Sequence, residues 1–402
     1  MAGEASGDAL GGRLAAALRA RLPNLRLSGI TGPNMRAGGV ETWSGVEDLE
    51  VVGIVEVARR LPALFRVEAR ILREVRDRNI RAAILIDYPG FNLRLAGRLH
   101  ARGVKTVQFV APQLWAWGRW RARRMARSID RLLVILPFEP EFFGRLGIRA
   151  EFVGNPIADA IAADLAPGPG GAQGGERGKG SAAEYLQEAR KRLGLEADPG
   201  GPVVGILPGS RGGEVSGLLP PMLDAARILR ASHPRARFLL PIADTLAWDA
   251  IARRAERAGV QPVRGGGGGA RDVLRAADTA MVASGTAILE AGLLGTPSVL
   301  AYRFHPLSFP IVRWMSNLPP ERYYIGLVNI LAGEELFPEL VQDRVKPERL
   351  AREIRRLIED DSRRGHVQRG LRDIRRSLGE PRAGGKGCFE RAAEIIAKLV
   401  GS

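Results

Sequence analysis

Twice along this chain, short apolar runs alternate with amphipathic stretches of helical period, and that repeat limits the fold more than any other feature. Runs bounded by turn residues read as strands buried on both faces. Parallel strands need a crossover helix to bring the chain back to the same edge. The first series has strands over 25–30, 82–87, 105–110, 131–136 and 151–153, with helices over 8–21, 61–78, 93–102 and 139–146. A glycine-rich stretch beginning GPGGAQGGERGKGS follows, which cannot bury a core and reads as a linker. The second series has strands over 202–207, 237–241, 279–283 and 297–302, with helices over 214–231 and 286–294, before an arginine-rich helical tail. The expected fold is therefore α/β, with two Rossmann-like domains facing a central cleft and C-terminal helices. The expected boundaries are 1–165, a linker and lead-in helix over 166–200, 201–345, and a tail over 346–402. The loop GEASGD, residues 3–8, leads into a helix with only Met1 and Ala2 ahead of it, so the first N-terminal strand is expected to be absent.

Composition narrows the classes. Apolar residues make up 45% and charged residues 26%, as in globular proteins that fold in water. No stretch reaches the roughly 20 apolar residues that span a bilayer. The N-terminus lacks the apolar core of a signal peptide. One cysteine, Cys388, and four scattered histidines leave neither a disulfide nor a Cys/His metal site, and the cytoplasm is the expected compartment. The net charge of +16 suits anionic ligands, yet the excess arginine is spread along the chain and is equally explained by composition bias.

Two strand–turn–helix motifs in the second half carry the chemistry. In LPGSRGGEV, residues 207–215, Gly209 and Gly212 allow a tight turn. Ser210 and the amides opening the next helix can donate to phosphate oxygens, and Arg211 offers a planar fork. In ASGTAILEAGLLGTP, residues 283–297, Ser284, Gly285 and Thr286 open a helix that carries Glu290, a carboxylate suited to ribose hydroxyls. Each motif alone is also explained as a capped helix start; together they point to a nucleoside diphosphate.

In the first half, AILIDYPGFNLRLA puts Asp87 at the carboxyl end of a strand, either as a general base or as a turn aspartate, with Asn92 as a helix cap. Glu4 and Asp8 are competing carboxylates on the same rim. The segment VAPQLWAWGRWRARR, residues 110–124, holds Trp115, Trp117 and Trp120 among arginines. The tryptophans suit a core, a sugar or acyl chain, or nucleic acid, and spacing does not separate these. Residues 51–76 interleave an apolar stripe with arginines, which fits either a core-facing helix or one resting on an anionic membrane.

In this order the strings GEASGD, GITGPNMRAGGVE, GIVEV, DYPGFN, VAPQLWAWG, LPFEPEFF, FVGNP, LPGSRGGEV, ASGTAILEAG, AYRFHPLSF and GLVNILAGEELFPELVQ resemble the lipid-A-disaccharide synthase family over nearly the whole chain. The resemblance implies a metal-independent, inverting glycosyltransferase of the two-Rossmann GT-B type, with no cofactor. It would join UDP-2,3-diacylglucosamine to 2,3-diacylglucosamine 1-phosphate, giving a β-1′,6-linked disaccharide 1-phosphate and UDP in lipid A biosynthesis. Carried over by motif, UDP binding falls to Gly209, Ser210, Arg211, Ser284, Gly285, Thr286, Glu290, Asn329 and Gln342. Acceptor binding falls to Ser6, Gly7, Asp8 and Asn92, and catalysis to Asp87 and Glu4. Val51, Val52, Ile54, Val55, Val57, Leu61, Leu64 and Phe65 become a membrane contact on the cytoplasmic face of the inner membrane. A homodimer through the C-terminal region is implied, and nucleic acid is not. Many family members carry an Asp where Gly90 stands, as the favoured base, so the role passes here to Asp87 or an opening-loop carboxylate. Another UDP-sugar GT-B enzyme or a UDP-sugar epimerase would share the fold and UDP motifs, and a basic nucleic-acid-binding protein would explain the charge alone.

Overall fold

The computed structural model describes residues 1–46, 54–164, 182–195, 200–265, 269–303, 324–379 and 385–401, with the backbone alone for 54–63 and 182–183. Among them, two compact units separate: 1–159 with 378–401, and 160–377. The glycine-rich 166–181 segment, Val51 and Val52 lie outside the described residues.

The first unit runs α1 (Ala5–Arg21), β1 (Ser28–Thr31), α2 (Pro33–Ala37), β2 (Glu41–Gly45), α3 (Ile54–Asp77), β3 (Ala82–Ile86), α4 (Pro89–His100), β4 (Lys105–Phe109), α5 (Ala122–Ser128), β5 (Arg131–Val134), α6 (Glu139–Gly144), β6 (Ala150–Phe152) and the start of α7 (Pro156–Asp164). Strands β3-β4-β5-β6 form one parallel sheet and β1-β2 a parallel pair. Met1 and Ala2 lie between them. The Met1 ammonium donates to the Ile84 carbonyl at 2.8 Å, Ile86 N–H to Met1 at 3.0 Å and Ala2 N–H to Ile30 at 3.4 Å. This two-residue stub is bridged in parallel to Ile86. Burial drops the Met1 amino pKa to about 5.

Successive strand residues face opposite sides, and both sides are covered. On β3, Leu85 packs into a cluster with Ile71, Val75, Leu95 and Leu99 of α3 and α4. Ile86 packs the other way, with Leu14 and Leu18 of α1 and Phe389 and Ile396 of the C-terminal helix, Cys388–Val400. That helix packs on α1 within the first unit. The stretch 346–402, expected as one tail, is therefore shared between the units.

The second unit carries β7 (Val203–Leu207), β8 (Arg237–Ile242), β9 (Gln261–Arg264), β10 (Thr279–Ala283), β11 (Ser298–Tyr302) and β12 (Glu339–Val341). Its helices are α8 (Ala182–Arg192), α9 (Gly212–Ser232), α10 (Trp248–Arg257), α11 (Gly269–Ala276), α12 (Thr286–Leu294), α13 (Leu327–Ala332), α14 (Pro347–Glu359) and α15 (Asp361–Ser377). The six strands are all parallel, in the order β12-β11-β10-β7-β8-β9. From β7 the chain proceeds outward to β9, then returns to β10 on the opposite side. The order reverses between β7 and β10, and ligands of open α/β sheets bind beyond such a reversal. Helix α14 lies on α9, and α15 on α12 and α13. The fold is α/β, with a four-stranded parallel sheet and the β1-β2 pair in the first unit and a six-stranded parallel sheet in the second.

Candidate functional site

In the second unit the reversal point is also where both glycine turns fall. β7 ends at Leu207 and β10 at Ala283, and the turns that follow, with the starts of α9 and α12, line one open pocket of about 330 Å³. Gly209, Ser210, Arg211, Ser284, Gly285, Thr286 and Glu290 all border it. Gly209 (φ 108°) and Gly285 (φ 150°) adopt backbone angles that side-chain-bearing residues avoid. In α9 the first helical bond runs from Val215 N–H to Arg211, so the amides of Gly212, Gly213 and Glu214 precede the helical ladder. Two helix starts, side by side, present amides whose chemistry suits an anion. Arg211 is largely exposed and paired with Glu214 at 3.2 Å. Thr245 fixes the turn by donating to the Ser210 carbonyl at 3.1 Å. Glu290 is held by Arg271 at 2.9 Å, which also grips Asp164 at 2.8 Å. Sequence reasoning missed Thr245 and Arg271, because only the strand order brings β8 and α11 to this edge.

Two further expected UDP contacts are not brought to this pocket. The Asn329 side chain donates to the Phe337 carbonyl at 2.7 Å and to Glu339 at 2.9 Å, and accepts from Phe337 N–H at 2.9 Å. It is buried and engaged in tying α13 to β12. Gln342, at φ 55°, follows β12 and does not border the pocket.

The first unit has its own reversal point, between the Met1–Ala2 stub and β3. The loops leaving these two, at Gly3–Glu4 and Asp87–Tyr88, are therefore neighbours. Asp87 (φ 47°) and Tyr88 (φ 45°) are consecutive left-handed residues, neither of them glycine. Strain of this kind persists only where the surroundings enforce it, and it gathers at functional sites. Asn92 enforces it here by donating to the carbonyls of Ile86 (3.2 Å) and Asp87 (2.8 Å). Gln108 adds a bond to Asp87 at 3.2 Å. Asn92 is thus a buried brace for the Asp87 turn and not the side-chain cap that its position suggested. Burial, then the negative charge of Glu4, pushes the Asp87 carboxyl above its ordinary value, against one bond from Tyr88 N–H. Glu4 accepts from the Ser6 hydroxyl at 2.9 Å. Gly7 is buried, where a Cβ would come within 3.3 Å of Ala2. Gly90 is exposed, and a Cβ there would meet nothing within 4 Å.

Asp8 departs from the expectation. Its carboxylate is 1% exposed and accepts from Gly32 N–H (2.7 Å), Asn34 N–H (2.8 Å), the Asn34 amide (2.9 Å) and Met35 N–H (3.0 Å). It anchors the start of α2, and its oxygens are already taken. Burial alone would raise its pKa, but these bonds outweigh it and hold the group below its ordinary value.

Of the membrane set, Val51 and Val52 lie outside the described residues, as do the side chains of Ile54, Val55, Val57 and Leu61. Leu64 packs partly on the core, and Phe65 is exposed with Arg94 over its ring at 4.6 Å. The tryptophans divide. Trp115 is buried and donates to Glu139 at 3.3 Å, whereas Trp117 and Trp120 are exposed. Burial pushes Glu139 up to about 7, against bonds from Leu136, Trp115 and Ile135. No described helix is long and apolar enough to cross a membrane.

The family described as Lipid-A-disaccharide synthetase matches residues 1–167 and 182–393. The Lipid-A-disaccharide synthase of Myxococcus xanthus is 39% identical over 400 residues, covering 100% of this chain and 96% of that protein. That of Syntrophus aciditrophicus is 39% identical over 404 residues, covering 100% and 97%. Among solved structures, the calicheamicin glycosyltransferase superposes with a TM-score of 0.56 at 17% identity, covering 99% of this chain and 96% of that one. UDP-GlcNAc 2-epimerase from Neisseria meningitidis gives 0.54 at 10% identity, covering 98% and 97%. At such identities these two structures speak for the fold alone.

Proposed function

The chain belongs to the lipid-A-disaccharide synthetase family, and from that membership we propose how its residues divide the reaction. It is a glycosyltransferase that condenses UDP-2,3-diacylglucosamine with 2,3-diacylglucosamine 1-phosphate, forming the lipid A disaccharide 1-phosphate and UDP. The donor's diphosphate lies on the two helix starts at Ser210–Glu214 and Ser284–Thr286, with Arg211 against its oxygens and Glu290 on the ribose. The observation that carries this assignment is the convergence of both glycine turns on one pocket where the strand order reverses.

The acceptor's 6-hydroxyl attacks the anomeric carbon opposite UDP and inverts it. Its proton passes to the Asp87 carboxylate as the new C–O bond forms. The electron pair of the old C–O bond leaves with UDP, where the helix amides and Arg211 receive the growing charge. The raised Asp87 pKa supports this role, since a base works best when its affinity for protons approaches the working pH. Ser6 and Asn92 act around it, Ser6 by orienting Glu4 and Asn92 by holding the Asp87 turn. Contact with the inner membrane from its cytoplasmic face through α3 belongs to the same reading, because both substrates carry two acyl chains on each sugar. A homodimer rests on family resemblance alone. UDP release from the two acylated sugars, measured with EDTA present, tests the assignment. Full activity is expected, activity abolished by EDTA would overturn the metal-free scheme, and no UDP release under any condition would overturn the assignment itself.

A further inference from the structure

Between Asp87 and Asp130 the chain carries nine arginine and lysine side chains and no carboxylate. Five of the nine, Arg119, Arg121, Arg123, Arg124 and Arg127, fall within one short stretch that runs into α5. Four of these are exposed, and Arg121 is half-buried. Among the described residues only four large apolar side chains are exposed, and two of them, Trp117 (40%) and Trp120 (63%), sit in this same stretch. The Arg121 guanidinium lies over both rings, at 4.6 Å from Trp117 and 5.6 Å from Trp120. Beneath them, Trp115 is buried and tied to Glu139, so the stretch is anchored at its base. The chain enters it directly from β4, whose last residue, Phe109, accepts from Asp87 N–H at 3.0 Å. The patch and the candidate acceptor loop thus leave the same edge of one sheet.

Exposed tryptophans whose amphipathic rings suit the headgroup level, beside arginines that make no ion pair among the described residues, match the chemistry of an anionic bilayer surface. We propose that Trp117, Trp120 and the arginines from Arg119 to Arg127 form a lip that docks on anionic lipid headgroups beside the acceptor loop. This contact is separate from α3, and it rests on the reading that the acceptor is an acylated sugar phosphate. The rings enter the headgroup layer while the guanidinium groups pair with lipid phosphates. The acylated acceptor then reaches Asp87 along the same sheet edge without leaving the interface.

The test uses the full chain with vesicles of phosphatidylcholine alone or mixed with phosphatidylglycerol, scored by co-sedimentation. Wild type should bind the anionic vesicles and release from them as salt rises. The double variant Trp117→Ala, Trp120→Ala should bind them about tenfold more weakly, and Arg123→Gln with Arg124→Gln by a similar factor. Both variants should keep the wild-type thermal midpoint and UDP release on detergent-dispersed substrates. Wild-type sedimentation of both variants would overturn the proposal and leave the contact to α3. Displacement of wild type from vesicles by random duplex DNA, with equal DNA binding lost in the variants, would overturn it in favour of nucleic acid. Absence of UDP release from wild type in detergent would instead break the underlying acceptor reading, whatever the vesicles do.

Discussion

The two sheets solve different problems with the same kind of edge. In the second unit, the reversal point of the six-stranded sheet is lined by two glycine turns and two helix starts and, among the described residues, by one arginine, Arg211. In the first unit, the reversal point is bordered by a two-residue stub, and its chemistry rests on side chains: Asp87 on a strained turn, Glu4 opposite, Asn92 and Gln108 beneath. An anion receptor made of backbone amides needs only that the turn form, so it tolerates much variation around it. A base needs its carboxylate in one place at a raised pKa, and that demands buried braces.

The widest separation between the two sites should come from Asp87→Asn. Turnover should fall by at least ~100-fold with little change in UDP affinity, and near wild-type kcat would remove Asp87 as base. Because the base works deprotonated, kcat should rise with pH through the raised Asp87 value, placing its acid limb above 3.8. Glu4→Gln removes the neighbouring charge and should move that limb to lower pH; an unmoved limb would uncouple the pair.

Next comes Asp8→Ala, which separates architecture from chemistry in the first unit. It strands the donors of Gly32, Asn34 and Met35, for a loss of about 3 kcal/mol in urea unfolding. The folded pKa of Asp8 lies below its ordinary 3.8, so its contribution is complete above that pH and is lost as pH falls through the folded value. An unchanged urea midpoint would show that the carboxylate is not an anchor.

A smaller effect is expected from Arg271→Ala in the second unit. Losing the guanidinium that holds Glu290 should raise the KM for the UDP-sugar roughly tenfold while kcat holds, with partial rescue by Lys. A fall in kcat at constant KM would contradict a positioning role.

The smallest effect should follow Gly90→Asp. The site is open, and an acid in the first turn of α4 gains a few tenths of a kcal/mol from the helix dipole, on the order of 0.5. Thermal melting should therefore barely move. Recovery of turnover on adding this change to Asp87→Asn would transfer the base role to position 90.

The sequence by itself determined the two parallel-sheet halves, because strands buried on both faces must be continuously apolar and crossover helices must be amphipathic. It also determined the two glycine turns, because Gly209 and Gly285 adopt angles that only glycine holds easily. Which polar residues serve the fold and which face a ligand was decided by the tertiary structure. Asp8, Asn92 and Asn329 read from their motifs as ligands, yet each is buried and hydrogen-bonded inside the fold: Asp8 to backbone amides of the α2 start, Asn92 to the carbonyls of the Asp87 turn, and Asn329 to Phe337 and Glu339. The converse holds for Arg271 and Gln108, which no local pattern marks; α11, on the crossover from β9 to β10, brings Arg271 to one edge, and pairing β4 beside β3 brings Gln108 to the other. Local turn geometry is written in residue type, whereas the satisfaction of a buried polar group depends on whatever packs against it.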